Sequence, residues 1–297
     1  MDDAVELSRR AILYRGSLWL GAWSAAAMQS HESPALKFGV VTDVHHANKP
    51  ERGSRYYRES IPKLKEAMAE FRSAALPFVV ELGDLVDAAE DAGTELNWLK
   101  EAIASMRGSG GEVHYVLGNH CVQTLRKKQF LQQVGRERGH YSFGRSGVRF
   151  VVLDACYRSD GVSYDAGNFD WKDTEIPAEQ REWLRQELAS APGKAIVFVH
   201  QRLDIPGVHS VASAAHVRDI LEQSGKVLAV FQGHSHQNDY GRVGGLHYCT
   251  MRAVVEGSGM ESSGYGVVSV FDDGRLAVKG FRAQSDYKLK RNTEQAG

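Results

Sequence analysis

Five short stretches carry side chains that can grip cations: Asp43-Val44-His45, Gly83-Asp84, Gly118-Asn119-His120, a lone His200, and Gly233-His234-Ser235-His236. Each closes an apolar run of β-branched residues: Phe38–Thr42, Phe78–Leu82, Val113–Leu117, Ala195–His200 and Leu228–Gln232. Side chains alternate along an extended chain, so Asp-x-His and His-x-His each present two ligands on one side. A glycine before Asp84, Asn119 and His234 lets the backbone turn sharply and bring a polar side chain against a neighbour. Taken singly these signals are weak. A strand-end Asp caps a loop more often than it binds a metal, and His31, His114, His140 and His216 read as ordinary satisfied imidazoles. Five in this order deliver Asp43, His45, Asp84, Asn119, His120, His200, His234 and His236 to one sheet edge, where α/β folds place their ligand sites.

The donor set restricts the chemistry. Carboxylate, imidazole and amide oxygen without thiolate suit Mn, Fe or Zn, and argue against a closed structural zinc site. Seven ligands exceed what one tetrahedral ion takes. They match two ions roughly 3.5–4 Å apart that share a bridging carboxylate, an arrangement that supports phosphoryl hydrolysis. A water held between two such ions loses a proton near neutral pH and attacks phosphorus in line, while positive groups neutralise charge on the departing oxygen. The sequence shows no Ser or Cys nucleophile motif, so no covalent intermediate is required.

The elements that must position these groups alternate. Besides the five strands above, Phe150–Asp154, His247–Met251, Gly266–Phe271 and Leu276–Phe281 read as strands, the last two joined by a turn at Asp272-Asp273-Gly274. Ile61, Leu64, Met68 and Phe71 recur at helical spacing, with Ser60 as N-cap and Pro62 in the first turn. Further helices follow from Leu96, Leu99, Ile103 and Met106, from Phe130, Leu131 and Val134, from Pro177 through Trp183, Leu184 and Leu188, and from Val217, Ile220 and Leu221. Strand–helix alternation that gives way to strands without helices implies a layered α/β domain. It spans about 36–285 and is followed by a polar tail, 286–297.

The 297-residue chain has Lys+Arg 36 against Asp+Glu 37, a formal net charge of -1. That balance offers no field for capturing a long nucleic acid, whereas a small anionic substrate needs only a local positive site. Cys121, Cys156 and Cys249 lack metal-type spacing and read as buried or unpaired thiols, with one disulfide among the three left open. In 1–35, Arg9-Arg10 precedes the apolar stretch Leu18–Ala27, with Ala25 and Ala27 in an A-x-A arrangement. The stretch is too short to span a bilayer, and the mature chain is expected to have no membrane span. It resembles a twin-arginine export signal, which implies periplasmic delivery; an amphipathic helix packed on a cytoplasmic domain is the alternative.

The ordered set D-x-H, G-D, G-N-H, H and G-H-x-H resembles the calcineurin-like metallophosphoesterase superfamily across nearly the whole domain. The resemblance implies two packed mixed β-sheets flanked by helices. It assigns Asp43, His45 and His236 to one metal and Asn119, His200 and His234 to the other, with Asp84 bridging. His120 would be the nearby acid that protonates the leaving oxygen. Two departures stand out. Cys121 occupies a position where the superfamily usually has an acid, with Asp87 a candidate substitute. The bridging aspartate also lacks the tyrosine three residues on that marks iron-tyrosinate purple acid phosphatases. Further stretches resemble the manganese-dependent ADP-ribose/CDP-alcohol diphosphatases: Arg55-Tyr56-Tyr57-Arg58, Gln180-x-x-Trp183-Leu184, Gly245-Leu246-His247 and Glu256-Gly257-Ser258. That branch often has glutamine where His45 stands. In this reading Arg55, Tyr56, Tyr57 and Arg58 contact the base and phosphate of a small phosphorylated substrate. His209 and Asn238, in loops after metal ligands, have lesser claims. A broad phosphomonoesterase is the nearest enzymatic alternative. A non-catalytic scaffold is disfavoured, because decayed sites lose ligands and here every ligand position is filled.

Overall fold

The computed structural model describes residues 33–290. Twelve strands form two six-stranded mixed sheets. The first contains β1 (Leu36–Val41), β2 (Phe78–Glu81), β3 (Glu112–Tyr115), β10 (Gly264–Val270), β11 (Leu276–Arg282) and β12 (Tyr287–Leu289), in the order β12-β11-β10-β1-β2-β3. The second contains β4 (Tyr141–Arg145), β5 (Val148–Val152), β6 (Ala195–Phe198), β7 (Val227–Gln232), β8 (Asp239–Val243) and β9 (Leu246–Thr250), in the order β4-β5-β6-β7-β9-β8. β1, β2 and β3 are parallel, as are β5, β6, β7 and β9. Parallel pairing aligns their carboxyl ends, which is what gathers the polar turns.

The central strands of each sheet are buried on both faces. Along β1 and β2, Phe38, Val40, Phe78 and Val80 face the other sheet, while Val41 and Val79 face the helices. Phe38 stacks on Phe78 with centroids 5.0 Å apart and meets Phe150, Phe198 and Phe231 of the second sheet edge-on at 5.5, 5.8 and 6.0 Å. These preferred aromatic geometries pin the two sheets together. Outside lie α1 (Ser60–Ser73), α2 (Ala92–Met106) and α3 (Lys127–Gln133) on the first sheet's side, and α4 (Ala178–Ser190) and α5 (Ala214–Gln223) on the second's.

Two expectations, on the α1 cap and on the tail, are corrected; the strands β4 and β8 are additional, and the cysteines are unpaired as expected. Ser60 is the first residue of α1 rather than its cap. A 3-10 turn, Tyr57–Glu59, leads directly into the helix and makes Glu59 the cap, without a side-chain bond. The polar tail is interrupted by β12, whose Tyr287 and Leu289 pair with Val278 and Leu276. The hairpin strands β4 and β8 arise at turns with positive φ at Ser146 and Gly147, and at Gly244 and Gly245. The three cysteines are all buried free thiols.

The leader expectation lies outside the described residues. Among the described residues no helix is long and apolar enough to cross a membrane.

Candidate metal centre

The strands stop short of the polar residues. β1 ends at Val41, and Asp43 and His45 follow in a turn with φ of 51° and 45°. Their common orientation therefore comes from alternate left-handed residues rather than from strand alternation. His234 and His236 repeat the device at 67° and 60°, and Asp84 sits at 60°. Non-glycine residues rarely adopt this region, although Asp and His tolerate it better than most, and strain of this kind concentrates at functional sites.

Backbone pairing holds these turns. Asp43 N donates to Gly83 O at 3.0 Å and His45 N to Asp84 O at 2.8 Å, so the first two loops run side by side. Val254 N and Val255 N donate to Thr42 O and Asp43 O, each at 3.1 Å. His234 N donates to Asp43 Oδ2 at 3.0 Å, which ties the second sheet's loop to the first's. The glycines have a steric reason. A Cβ on Gly118 would lie 2.2 Å from Asp84 Oδ1, and one on Gly233 would lie 2.1 Å from Thr42 Oγ1.

The side chains converge in two groups. Asp43, His45 and His236 place one donor atom each within 4.8 Å of one another, as do Asp84, His200 and His234. Asp84 also groups with His45 and His120. Its Oδ2 is 3.1 Å from His200 Nε2 and 3.6 Å from His45 Nε2, so this one oxygen faces both groups. Asp43 Oδ1, Asn119 Oδ1 and His234 Nε2 are buried with no hydrogen-bond partner. Imidazole nitrogens face each other at 3.1 Å (His45 and His236) and 3.2 Å (His200 and His234), a spacing that needs a proton or cation between them. Orphaned oxygens and opposed lone pairs are what a pair of divalent ions would satisfy. The seven residues fit two such ions.

The electrostatics agree. Burial would lower His200 and His236, but for His200 the Asp84 and Asp43 carboxylates, and for His236 Asp43 and Glu256, outweigh it and push each up to about 9. Burial would raise Asp43 and Asp84, yet the surrounding imidazoles hold both below the usual carboxylate range. Burial pushes His45 and His234 down, favouring the neutral, ligating form. The imidazoles are also held from behind, as ligating histidines are. His200 Nδ1 lies 2.9 Å from Leu82 O, His45 Nδ1 3.0 Å from Asp87 Oδ2 and His236 Nδ1 2.7 Å from Glu256 Oε1. His120 N donates to Asp84 Oδ1 at 2.7 Å, placing the His120 ring at the same cluster.

A family model for calcineurin-like phosphoesterases matches residues 36–238. The chain belongs to that family. Rice and Arabidopsis thaliana proteins named "Manganese-dependent ADP-ribose/CDP-alcohol diphosphatase" are each 26% identical to it, covering 84% and 85% of this chain and 92% and 96% of their own. A dimetal phosphatase from Danio rerio superposes with a TM-score of 0.75 at 20% identity, covering 86% of this chain and 99% of its own. Yellow lupin purple acid phosphatase shares the fold more distantly, with a TM-score of 0.57 at 14% identity over 86% of this chain and 54% of its own. As a calcineurin-like phosphoesterase the chain is a metal-dependent phosphoester hydrolase with a dinuclear centre.

A cavity of about 430 Å³ opens over Asp84, Asn119, His120, His234 and His236. Arg52, Arg55, Gln123, Trp171 and His209 complete its lining. Of the four proposed substrate contacts only Arg55 is among these residues. Tyr57 is buried in a small core with Ala47, Ala253 and Val255, because the 3-10 turn rotates it inward. Tyr56 lies 6.0 Å from Lys63 Nζ, outside the lining, and Arg58 donates to Asn48 Oδ1. Asn238 is structural, donating to Ala283 O and accepting from Ser285 N. Trp171 stands edge-on to His234 at 5.5 Å and beside His209 at 5.5 Å. No local spacing marks Trp171; it sits in the long segment between β5 and α4.

Proposed function

We propose that the chain hydrolyses the diphosphate bond of small nucleotide-type substrates, such as ADP-ribose or CDP-alcohols. The observation that carries this reading is the lining of the cavity. The Arg52 and Arg55 guanidiniums line it together with the Trp171 indole and the His209 imidazole, next to the ligand cluster. Guanidiniums suit a phosphate by charge and fork geometry, and an indole offers a face for a base. The names of the similar plant proteins support the same substrate class.

When bound, two divalent ions supply Lewis acidity and a nucleophile at neutral pH. Asp43, His45 and His236 would hold one and Asn119, His200 and His234 the other, with Asp84 between them. Arg55 positions the substrate's phosphate, with NH1 3.5 Å from His120 Nε2. His120 gives the leaving oxygen a proton.

The test is a panel of ADP-ribose, CDP-choline and simple phosphomonoesters offered to the Mn²⁺-loaded protein. Higher kcat/KM on the diphosphates is expected. His45, standing where the diphosphatase branch often has glutamine, favours a second reading as a broad phosphomonoesterase; equal or higher turnover of the monoesters would select it. We also propose export by the twin-arginine route, supported by Arg9-Arg10 and the apolar stretch behind them. Arg9→Lys with Arg10→Lys should retain the protein in the cytoplasm, and unchanged periplasmic delivery would rule the route out.

A further inference from the structure

Two of the cavity's basic groups come from one turn. Arg52 N donates to Arg55 O and Arg55 N to Arg52 O, each at 3.1 Å, closing a two-residue turn at Gly53 and Ser54 in which Gly53 has φ 62°. Residues that exchange both backbone hydrogen bonds stand directly opposite each other and send their side chains to the same face, with Cβ atoms roughly 4.5–5.5 Å apart. Both guanidiniums line the cavity. We propose that they form a clamp for two adjacent phosphoryl groups, Arg55 on the reacting phosphate and Arg52 on the second, so that Arg52 determines selectivity for diphosphates over substrates with one phosphate. This inference rests on the proposed function and adds to it the residue that reads the second phosphate.

The two arginines stand at different depths. Arg55 is half-buried, with NH1 3.5 Å from His120 Nε2 and 3.7 Å from Asp87 Oδ2, which puts it beside the metal cluster. Arg52 is exposed, and among the described residues no carboxylate pairs with it. Like charges set directly opposite each other are destabilising by themselves. A substrate with negative charge on two neighbouring centres removes that cost, whereas a single phosphate lying against Arg55 leaves Arg52 unneutralised. The two phosphorus atoms of a diphosphate share one oxygen, so their spacing is short and fixed, and guanidinium forks match the oxygens on each.

The turn is tied to the metal centre. Arg55 bridges Glu256, Tyr56 N donates to Val255 O at 2.9 Å, and Gly257 N donates to Ser54 O at 2.7 Å. Lys63, itself buried, donates Nζ to Glu256 O at 3.2 Å and to Gly257 O. Glu256 Oε1 lies 2.7 Å from His236 Nδ1, so the clamp and a metal-site imidazole share one support. A clamp held in place this way gives up little conformational freedom when substrate binds.

Wild type, Arg52→Ala and Arg52→Lys, each loaded with Mn²⁺, are compared on ADP-ribose and on the p-nitrophenyl ester of thymidine monophosphate. The ester has a base and a reacting phosphate but no second phosphate. Arg52→Ala should lower kcat/KM on ADP-ribose by about 10-fold or more beyond any loss on the ester, the worth of a hydrogen bond to a charged group. Arg52→Lys, which keeps the charge and loses the fork, should lie between Arg52→Ala and wild type. Wild-type kcat/KM on ADP-ribose in Arg52→Ala, or equal losses on both substrates, would overturn the clamp and leave the proposed function standing. A wild-type protein that does not turn over ADP-ribose would overturn the proposed function, and the clamp with it.

Discussion

Gly118→Ala tests whether close backbone approach, rather than loop flexibility, is what the Gly-Asn-His glycine provides. The new Cβ would lie 2.2 Å from Asp84 Oδ1, 2.4 Å from Asp84 N and 2.8 Å from Asp84 Cγ. Backbone cannot give way as a flexible side-chain end can, so the loop or the Asp84 carboxylate must move by about 1 Å. Overpacking of this kind costs about 1–3 kcal/mol, a fall in Tm of roughly 2–12 °C for a domain of this size. The displaced atom is the oxygen that accepts from His120 N, so His120, the proposed acid, moves too. A 1 Å misplacement in a catalytic constellation is worth on the order of 100-fold in rate. Gly144→Ala is the control, because nothing lies within 4 Å of its Cβ position. Thermal unfolding and bis(p-nitrophenyl) phosphate hydrolysis read the two effects separately. Wild-type turnover in Gly118→Ala would refute the steric account.

Trp171→Ala should raise KM for ADP-ribose by roughly 5- to 100-fold, the worth of base stacking, with little change on a non-aromatic phosphomonoester. Equal effects on both would remove Trp171 from base recognition. Tyr57→Ala should cost about 3–5 kcal/mol as a buried aromatic truncation, whereas Arg55→Ala should lower kcat/KM and leave Tm near wild type; the reverse pattern would exchange their roles. In the chelated protein, His200 and His236, pushed up to about 9, bind protons more tightly folded than unfolded. Their stabilisation is complete below their ordinary value of 6.5 and is lost as pH rises through about 9. Tm of the chelated protein should therefore fall between those pH values. Asp43 and Asp84, held low, add stability that disappears only as pH falls through the acid range. A chelated protein whose Tm is flat from pH 6.5 to 9 would contradict the sign for the histidines.

The ligand set was legible because it is written as short motifs at the ends of apolar runs. His200, with no motif of its own, was found only from its place after Val197-Phe198-Val199. Asp43 and His45 face together not by strand alternation but because alternate left-handed residues in a turn give the same spacing. β4 and β8 were missed although Ser146-Gly147 and Gly244-Gly245 are two-residue turns of the kind that hairpins favour. Both strands are edge strands and mostly exposed or half-buried, so hydrophobic alternation is faint there. Tyr57, buried in a small core instead of at the cavity, illustrates the opposite failure. Proximity in sequence to a motif does not fix which way a 3-10 turn rotates its side chains. Trp171 reaches the cavity from the segment between β5 and α4, and only tertiary packing brings it there, whereas Arg52 and Gln123 lie in the loops of the first and third motifs.

The central claim is that two ions share Asp84 and that this pair carries the hydrolysis. Manganese per chain, measured together with bis(p-nitrophenyl) phosphate turnover in wild type and Asp84→Asn, tests it most directly. The account predicts two ions and turnover in wild type, and fewer than two ions with turnover abolished in Asp84→Asn. Turnover in Asp84→Asn indistinguishable from wild type, at whatever metal content, would contradict it.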